Sequence, residues 1–177
     1  MKRFIIVALG LFLTILLILA VVGTFITDKS LNECFFIACC GVLYITGMVL
    51  GFTYKEICVI VNIYLESGLC LLSALWVTWT AIKRYYPQKT VGNGIIMVSG
   101  FIYGIIYLCG FLWLCQHYAM PLSNAFDLCY RELVQLSKDY HTTYYNVNYA
   151  VFIILFLITT IGNILLGNLI QKENQQE

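Results

Sequence analysis

Residues 53–82 read TYKEICVIVNIYLESGLCLLSALWVTWTAI, and this stretch decides the fold. From residue 57 to residue 82 its only charged side chain is Glu66. A helix rises about 1.5 Å per residue and the hydrocarbon core of a membrane is about 30 Å thick, so a span needs about 20 apolar residues. The stretch exceeds that length, and a helix of this size crosses a membrane by tilting or by protruding from it.

Four further stretches contain no charged residue at all. Lipid tails offer no hydrogen bonds, so backbone groups in a membrane must satisfy one another, as they do in helices and closed barrels. Barrel strands are shorter and alternate in polarity, which these stretches do not. The sequence therefore predicts an all-α, polytopic membrane protein, with residues 1–177 forming a single helical domain. Its five transmembrane helices are expected near residues 4–26, 34–52, 54–82, 95–115 and 147–170.

Composition excludes a water-soluble monomer. Hydrophobic residues make up 61% of the chain and charged residues 11%, whereas soluble domains carry about 25% charged residues. A globule of this size could not bury so much apolar surface under a polar skin. The net charge of +1 gives no reason to expect a nucleic-acid partner. We therefore expect a multi-pass protein of the cell membrane whose main partner is the lipid bilayer.

The direction of insertion stays open. Five alternating spans place five of the ten Lys and Arg residues on each side of the membrane, so the positive-inside rule gives no preference. Lys2 and Arg3, beside the first apolar run, weakly favour a cytoplasmic N-terminus. That run is longer than the apolar core of a signal peptide and lacks a good cleavage site, so we expect a retained anchor.

The segment 51–53 (GFT) leaves almost no loop between the second and third spans, which predicts a tight helical hairpin. Thr53 and Glu56 fit a capping box, in which the hydroxyl and the carboxylate satisfy backbone N–H groups at the start of a helix. Residues 143–147, Thr-Tyr-Tyr-Asn-Val, resemble this start and precede the fifth span. They can be the trace of a duplicated unit, or they can reflect the ordinary preferences of helix starts.

Leu122–Tyr140 is typical of an amphipathic helix between the last two spans. Apolar residues recur at steps of three and four, whereas the charged residues fall mainly on another face. The charges are mixed in sign, which argues against an anchor for anionic lipids. We expect this helix to lie at the membrane surface or to pack under the bundle, and we favour docking against the bundle or against a partner protein.

Glu66 is the candidate centre of a functional site. It lies about 20 Å along its helix, close to the middle of the membrane, where a carboxylate is costly and must face the interior of the bundle. One interpretation is a site that responds to protons, ions or a solute. The other is a neutral Glu66 that only fixes helix packing, through a hydrogen bond to Asn163 or to a backbone carbonyl. The polar residues expected to share this site are Asn62, Ser73, Thr159 and Asn163, and the same two helix faces include Cys58, Cys70, Thr160 and Gly167.

Two pairs of glycines favour close packing of helices, because small residues four positions apart let backbones approach. The pairs are Gly47 with Gly51 and Gly100 with Gly104. Such faces pack within one chain or between copies, and we expect a homo-oligomer.

No pattern points to a cofactor, a metal or a reaction. The eight cysteines fall almost entirely in the apolar stretches and form no Cys-x-x-Cys pair. His117 and His141 flank the amphipathic helix and are interpreted as interfacial polar residues. The sequence contains no serine-hydrolase, zinc-protease or P-loop signature, so we do not expect an enzyme.

These features favour a small channel, pore or transporter-like protein with a polar site at Glu66. The alternative is a non-catalytic accessory or structural subunit of a larger membrane complex, held through its glycine faces and its amphipathic helix. An intramembrane enzyme is a third and weaker alternative. Five spans do not divide into two equal inverted repeats, which favours a channel-like oligomer over a self-contained carrier.

Overall fold

The computed structural model describes residues 14–15, 17–27, 29–87 and 89–176, with side chains up to residue 172. Every regular element within these residues is a helix. Of the first predicted span, residues 4–13 and 16 lie outside the described residues. Its other end forms helix α1, Leu17–Ile26.

Five more helices follow α1 in the described part of the chain. Four of them are long and apolar enough to cross a membrane, which confirms the predicted class of helical protein with long apolar spans. The remaining one covers the range predicted for the amphipathic helix. The bounds are Leu31–Leu50 (α2), Tyr54–Tyr85 (α3), Val91–His117 (α4), Leu122–Asp139 (α5) and Tyr144–Lys172 (α6), and α6 continues to Gln176.

Side-chain caps set the starts of these helices and correct the predicted bounds. The Ser30 hydroxyl accepts a hydrogen bond from the Glu33 backbone N–H at 3.3 Å, and the Ser30 N–H donates to the Glu33 carboxylate at 3.0 Å. Helix α2 therefore begins at Leu31 rather than 34, because the charged residue that seemed to end the apolar run belongs to a capping box. Thr90 supplies a single cap, so α4 begins at Val91 rather than 95.

Helix α4 runs antiparallel to α3. The Thr78 hydroxyl of α3 donates to the Gly100 carbonyl of α4 at 2.8 Å. Farther along α3, Arg84 Nε donates to Asn93 Oδ1, which precedes Gly100 in the chain, at 2.9 Å. The two helices form a continuous hairpin joined by residues 86–90.

Helix α6 runs parallel to α3. Asn163 contacts Ser73, and Gly167, four residues later, contacts Trp76, so residue numbers rise together in the two helices. This agrees with the order of the predicted spans, in which the third and the fifth cross in the same direction. Both helices start at the same end of the bundle, which we name the cavity end; the opposite end is the closed end.

Helix α5 lies across the cavity end. The rings of Phe126 and Tyr54 are 6.0 Å apart, and Lys55 Nζ lies 2.6 Å from Asp127 Oδ1. These contacts join α5 to the first turn of α3, and a short turn then leads from α5 into the first turn of α6. The helix therefore docks against the bundle, one of the two arrangements predicted, while its position at a membrane surface stays a prediction.

Helix α2 also joins the first turns of α3 and α6. Near its start, the Phe36 ring lies 5.9 Å from the ring of Tyr144 in α6. Near its end, Gly47 packs against Ile57 in α3, where a Cβ would lie 3.1 Å from that side chain. Helix α2 has the length and hydropathy of a span, and both of its ends lie at the cavity end.

The hairpin α2–α3 and the hairpin α5–α6 repeat the same conformations 90 residues apart. Gly51 (φ 79°) and His141 (φ 49°) end α2 and α5 in the left-handed conformation. In both turns the next N–H then bonds a carbonyl in the last turn of the helix, at 2.8 Å in the first hairpin and 2.9 Å in the second. Thr53 and Thr143 cap the helices that follow.

Each of these two helices has an α-helical first turn and then a seven-residue π-helical segment, Val59–Leu65 in α3 and Tyr149–Leu155 in α6. A π-helix is rare and is mostly a single turn. Its recurrence at the same distance from both caps favours a duplicated unit over a coincidence of helix-start preferences.

The two hairpins face each other across a pseudo-two-fold axis. The contact between Phe36 and Tyr144 has a matching one between Phe126 and Tyr54, with the roles of the two hairpins exchanged. The counterpart of a residue in one hairpin is the residue 90 positions away in the other. A residue can touch its own counterpart only if both lie beside the axis, and α3 and α6 contain two such pairs. The axis therefore runs between these two helices. The self-contacting pairs are Cys70 with Thr160 and Ser73 with Asn163.

Candidate functional site

Glu66 is the first residue after the π-helical segment of α3 and is half-buried. Its carboxylate has no hydrogen bond or ion pair with the side chains that the structure describes. In the same part of the chain, no fully buried side-chain N or O atom lacks a partner. The carboxylate oxygens of Glu66 therefore face open space rather than the packed interior.

That space is a cavity of about 400 Å³ at the cavity end. Helices α2, α3, α5 and α6 all contribute to it, and it lies on the pseudo-two-fold axis. Glu66 and Asn62 line it from α3. Most of its other lining residues are counterparts from the two hairpins, among them Phe36 and Phe126, Cys39 and Cys129, and Tyr54 and Tyr144.

A second cavity of about 620 Å³ adjoins the first, between α3, α4, α5 and α6. Asn62, Glu66 and Phe152 line both cavities. Thr159, predicted to belong to the Glu66 site, lines only the second. Glu66 therefore stands where two mostly apolar spaces meet, deep in the bundle and away from the helix ends.

The closed end begins just beyond these cavities. Tyr103 OH donates to Asn163 Oδ1 at 2.5 Å, and Asn163 Nδ2 donates to Ser73 Oγ at 2.8 Å. The Ser73 hydroxyl in turn donates to the Cys70 carbonyl at 2.8 Å. Asn163 is only 3% exposed, so this chain of bonds joins α3, α4 and α6 around a buried amide.

One contact considered for a neutral Glu66, a hydrogen bond to Asn163, is not formed. The amide oxygen of Asn163 accepts from Tyr103 and its nitrogen donates to Ser73 instead. The predicted polar residues separate into two groups. Glu66, Asn62 and Thr159 line the cavities, whereas the other two, Ser73 and Asn163, form the packed contact beyond them.

The glycine pairs have different roles. A Cβ on Gly100 would lie 2.7 Å from the Ala81 side chain, and one on Gly104 would lie 2.5 Å from Thr78 Oγ1, so this pair packs α4 on α3 within one chain. Gly51 does not pack against a helix, since a Cβ there would meet nothing within 4 Å. Gly51 instead ends α2, because its φ is positive. A residue without a Cβ adopts this left-handed conformation at no steric cost.

Helix α5 adds a polar cluster at the mouth of the second cavity. Glu132 accepts a bond from Tyr118 OH at 2.5 Å, and its other oxygen lies 2.8 Å from His117 Nε2. Burial raises the pKa of the Glu132 carboxyl, but the hydrogen bonds from Tyr118 and His117 outweigh it and hold that pKa below its usual value. The carboxylate of Glu132 is therefore stabilised in its charged form.

Sequence reasoning missed the aromatic partners of this site. Tyr103 and Tyr107 face the closed end from α4, with their hydroxyl oxygens 3.2 Å apart. Their spacing of four residues in an uncharged helix was the available signal, because two hydroxyls on one helix face need partners inside a membrane. Phe152 gave no such signal, because one phenylalanine in a long apolar run does not stand out from its neighbours.

No protein-family model, curated protein or solved structure matches this chain. Function is therefore inferred from the geometry of this one molecule. The features that bear on it are the repeated hairpins, the cavities between them and the unpaired carboxylate of Glu66.

Proposed function

We propose that this protein is a small transporter of the cell membrane, not an enzyme, whose solute site is centred on Glu66. The observation that carries the proposal is the carboxylate of Glu66, which has no partner among the described side chains and opens into two cavities. A carboxylate in the middle of a membrane is costly, and such residues mark substrate or ion pathways in many membrane proteins. Asn62 and Thr159 line the same spaces and complete the polar surface.

The repeated hairpins support a transporter. Many transporters consist of internal repeats, with the substrate site near the middle of the membrane at the interface between them, and some repeats are related by an axis along the membrane normal. The axis here runs along two parallel apolar helices, and the first cavity lies on it. The odd number of predicted spans had argued against repeats, but the counterpart of α2 is α5, which is not an apolar span.

The closed end favours a carrier over an open pore within one chain. Beyond Glu66, the Ser73–Asn163 contact and the Gly167–Trp76 contact leave no passage between α3 and α6; a Cβ on Gly167 would lie 2.6 Å from the indole ring. Alternating access requires a site that is closed toward one side of the membrane at a time, and the packed contacts beyond Glu66 fit such a closure. Association of copies into a homo-oligomer remains part of the proposal, and the mass of the detergent-solubilised particle tests it.

The accessory subunit is the competing candidate. It was expected to hold its partner through the glycine faces and the amphipathic helix, yet Gly100 and Gly104 are covered by α3, and α5 is docked on its own bundle through Asp127 and Phe126. The geometry therefore favours transport over the accessory role.

The test is solute flux in proteoliposomes. We would measure uptake of ethidium, carboxyfluorescein and radiolabelled glucose, which represent an organic cation, an organic anion and a neutral solute. We expect uptake of at least one of these solutes to exceed its uptake by protein-free liposomes, and we expect Glu66→Gln to abolish this excess. Asp139→Asn is the matched control, because it removes an exposed carboxylate whose partner is Gln135 on the outside of α5. Absence of uptake of all three, together with stoichiometric co-purification of a membrane protein, would contradict it.

A further inference from the structure

The Asp, Glu, Lys and Arg residues in the described lining of the two cavities are all acidic. Glu66 and Glu132 are acidic, and the lining described for both cavities includes no Lys or Arg. A cleft with low-dielectric walls and charge of one sign concentrates ligands of the opposite sign. An anion would have to leave water for a space with no Lys or Arg in its described lining, so these cavities favour a cation, which pairs with the ionised form of Glu66.

The walls are aromatic as well as apolar. Phe36, Phe126 and the tyrosines at 54 and 144 line the first cavity from both hairpins, and Phe152 lines both cavities. The face of an aromatic ring attracts a cation, and the same ring buries apolar substituents. One carboxylate surrounded by rings therefore matches a charged centre that carries hydrophobic groups.

The size of the cavities excludes a bare metal ion as the main ligand. Volumes of about 400 Å³ and 620 Å³ lie within the range of about 300–1,000 Å³ of pockets for small organic molecules. Ca²⁺ prefers 6–8 oxygen ligands, and Mg²⁺ an octahedral set of them. Glu66, Asn62 and Thr159 cannot supply such a set among apolar walls.

We propose that these cavities bind a hydrophobic organic cation, with its positive centre at Glu66 and its apolar groups against the aromatic walls. This inference rests on the proposed function only in taking the Glu66 cavities as the ligand site, and it adds the class of ligand. The pseudo-two-fold symmetry adds a further feature: rings from both hairpins surround the first cavity, while the acid comes from one hairpin, because the counterpart of Glu66 is Phe156.

The probes that test this inference are tetraphenylphosphonium and tetraphenylborate, which have the same shape and opposite charge. Binding of each to the purified full-length protein in detergent would be measured by isothermal titration calorimetry. We expect the cation to bind and the anion to bind at least about 10-fold more weakly. Glu66→Gln should weaken binding of the cation by about 10-fold or more, because it removes a charged partner while keeping the shape of the side chain.

Two control variants separate ligand binding from folding. Glu66→Asp keeps the charge and should retain most of the affinity, whereas Asp139→Asn should leave it unchanged. Phe152→Leu keeps an apolar side chain without a ring and should weaken cation binding by about 3-fold. Equal affinity for the two probes, or cation binding that Glu66→Gln leaves intact, would overturn the inference.

The two proposals fail separately. Cation binding that depends on Glu66 without uptake of any solute in proteoliposomes would support the ligand class and contradict transport. Glu66-dependent uptake of carboxyfluorescein or glucose, without binding of tetraphenylphosphonium, would support transport and overturn the ligand class.

Discussion

Helices α2 and α5 occupy equivalent positions across the cavity end, yet α2 contains one charged residue and α5 contains five. The helices that follow them differ in the same way, since Glu66 in α3 corresponds to Phe156 in α6. The two hairpins share the turn, the threonine cap, the π-helical segment and the Phe–Tyr contact. The difference teaches that the residues of the turn and the helix cap are enough to keep the repeated backbone geometry. The distribution of charged residues differs between the hairpins, so the first cavity contains one acid, Glu66, and not a symmetric pair.

The largest effect is expected where the two hairpins touch on the axis. Asn163→Leu should lower the free energy of unfolding by about 2 kcal/mol, because it removes both hydrogen bonds that join α6 to α3 and α4 through this buried amide. Ser73→Ala should cost only about 1 kcal/mol, since it removes the bond from Asn163 and a local bond to the Cys70 carbonyl of its own helix, and leaves the Tyr103–Asn163 bond intact. Unfolding of the purified protein in sodium dodecyl sulfate, followed by circular dichroism, measures both. Equal losses for the two variants would contradict the central position of Asn163.

Much of the fold could be predicted from the sequence, because long uncharged runs leave few alternatives to membrane helices. The bounds were less predictable. The predicted second span starts after Glu33 because this residue is charged. In the structure the Glu33 carboxylate accepts a hydrogen bond from the Ser30 N–H, so Glu33 belongs to the first turn of α2. The lining of the site by Glu66 and Asn62 followed from helical spacing, although the role of these residues stays a prediction.

Contacts between distant segments could not be derived in the same way. The pairing of Ser73 with Asn163 depends on how α3 and α6 cross, which local spacing does not determine. A signal for the repeat was present nonetheless. Identical residues recur at identical spacing in both hairpins: Phe36, Cys39, Leu43, Thr53 and Tyr54 in the first, and Phe126, Cys129, Leu133, Thr143 and Tyr144 in the second.

The two caps offer a sharper comparison of the hairpins. Thr53 forms a full capping box with Glu56, whereas Thr143 makes only a hydroxyl contact to the backbone N–H of Asn146. Thr53→Ala should therefore cost about 1–2 kcal/mol of unfolding free energy and Thr143→Ala about 0.5–1 kcal/mol. The same unfolding assay measures the difference. A larger loss at Thr143 would mean that the first hairpin does not depend on its capping box.

The two left-handed residues should respond with opposite signs. Gly51→Ala should lower the free energy of unfolding by about 1 kcal/mol, because a Cβ is strained at positive φ. His141→Gly should leave it unchanged or raise it by up to about 1 kcal/mol, because relief of that strain offsets the greater freedom of glycine in the unfolded chain. Thermal unfolding in detergent is sensitive enough to separate them. A loss at His141→Gly equal to that at Gly51→Ala would show that the two turns are not equivalent.

The most direct test of the account uses a native thiol in the cavity. Cys58 lines the first cavity beside Asn62, whereas Cys109 is exposed on α4. In variants that retain only one of these cysteines, we would compare the rates of modification by a trimethylammonium and by a sulfonate methanethiosulfonate. We expect Cys58 to react about 10-fold faster with the cationic reagent, Glu66→Gln to remove this preference, and Cys109 to show none. Equal rates at Cys58, or a preference that survives Glu66→Gln, would contradict a cation site at Glu66.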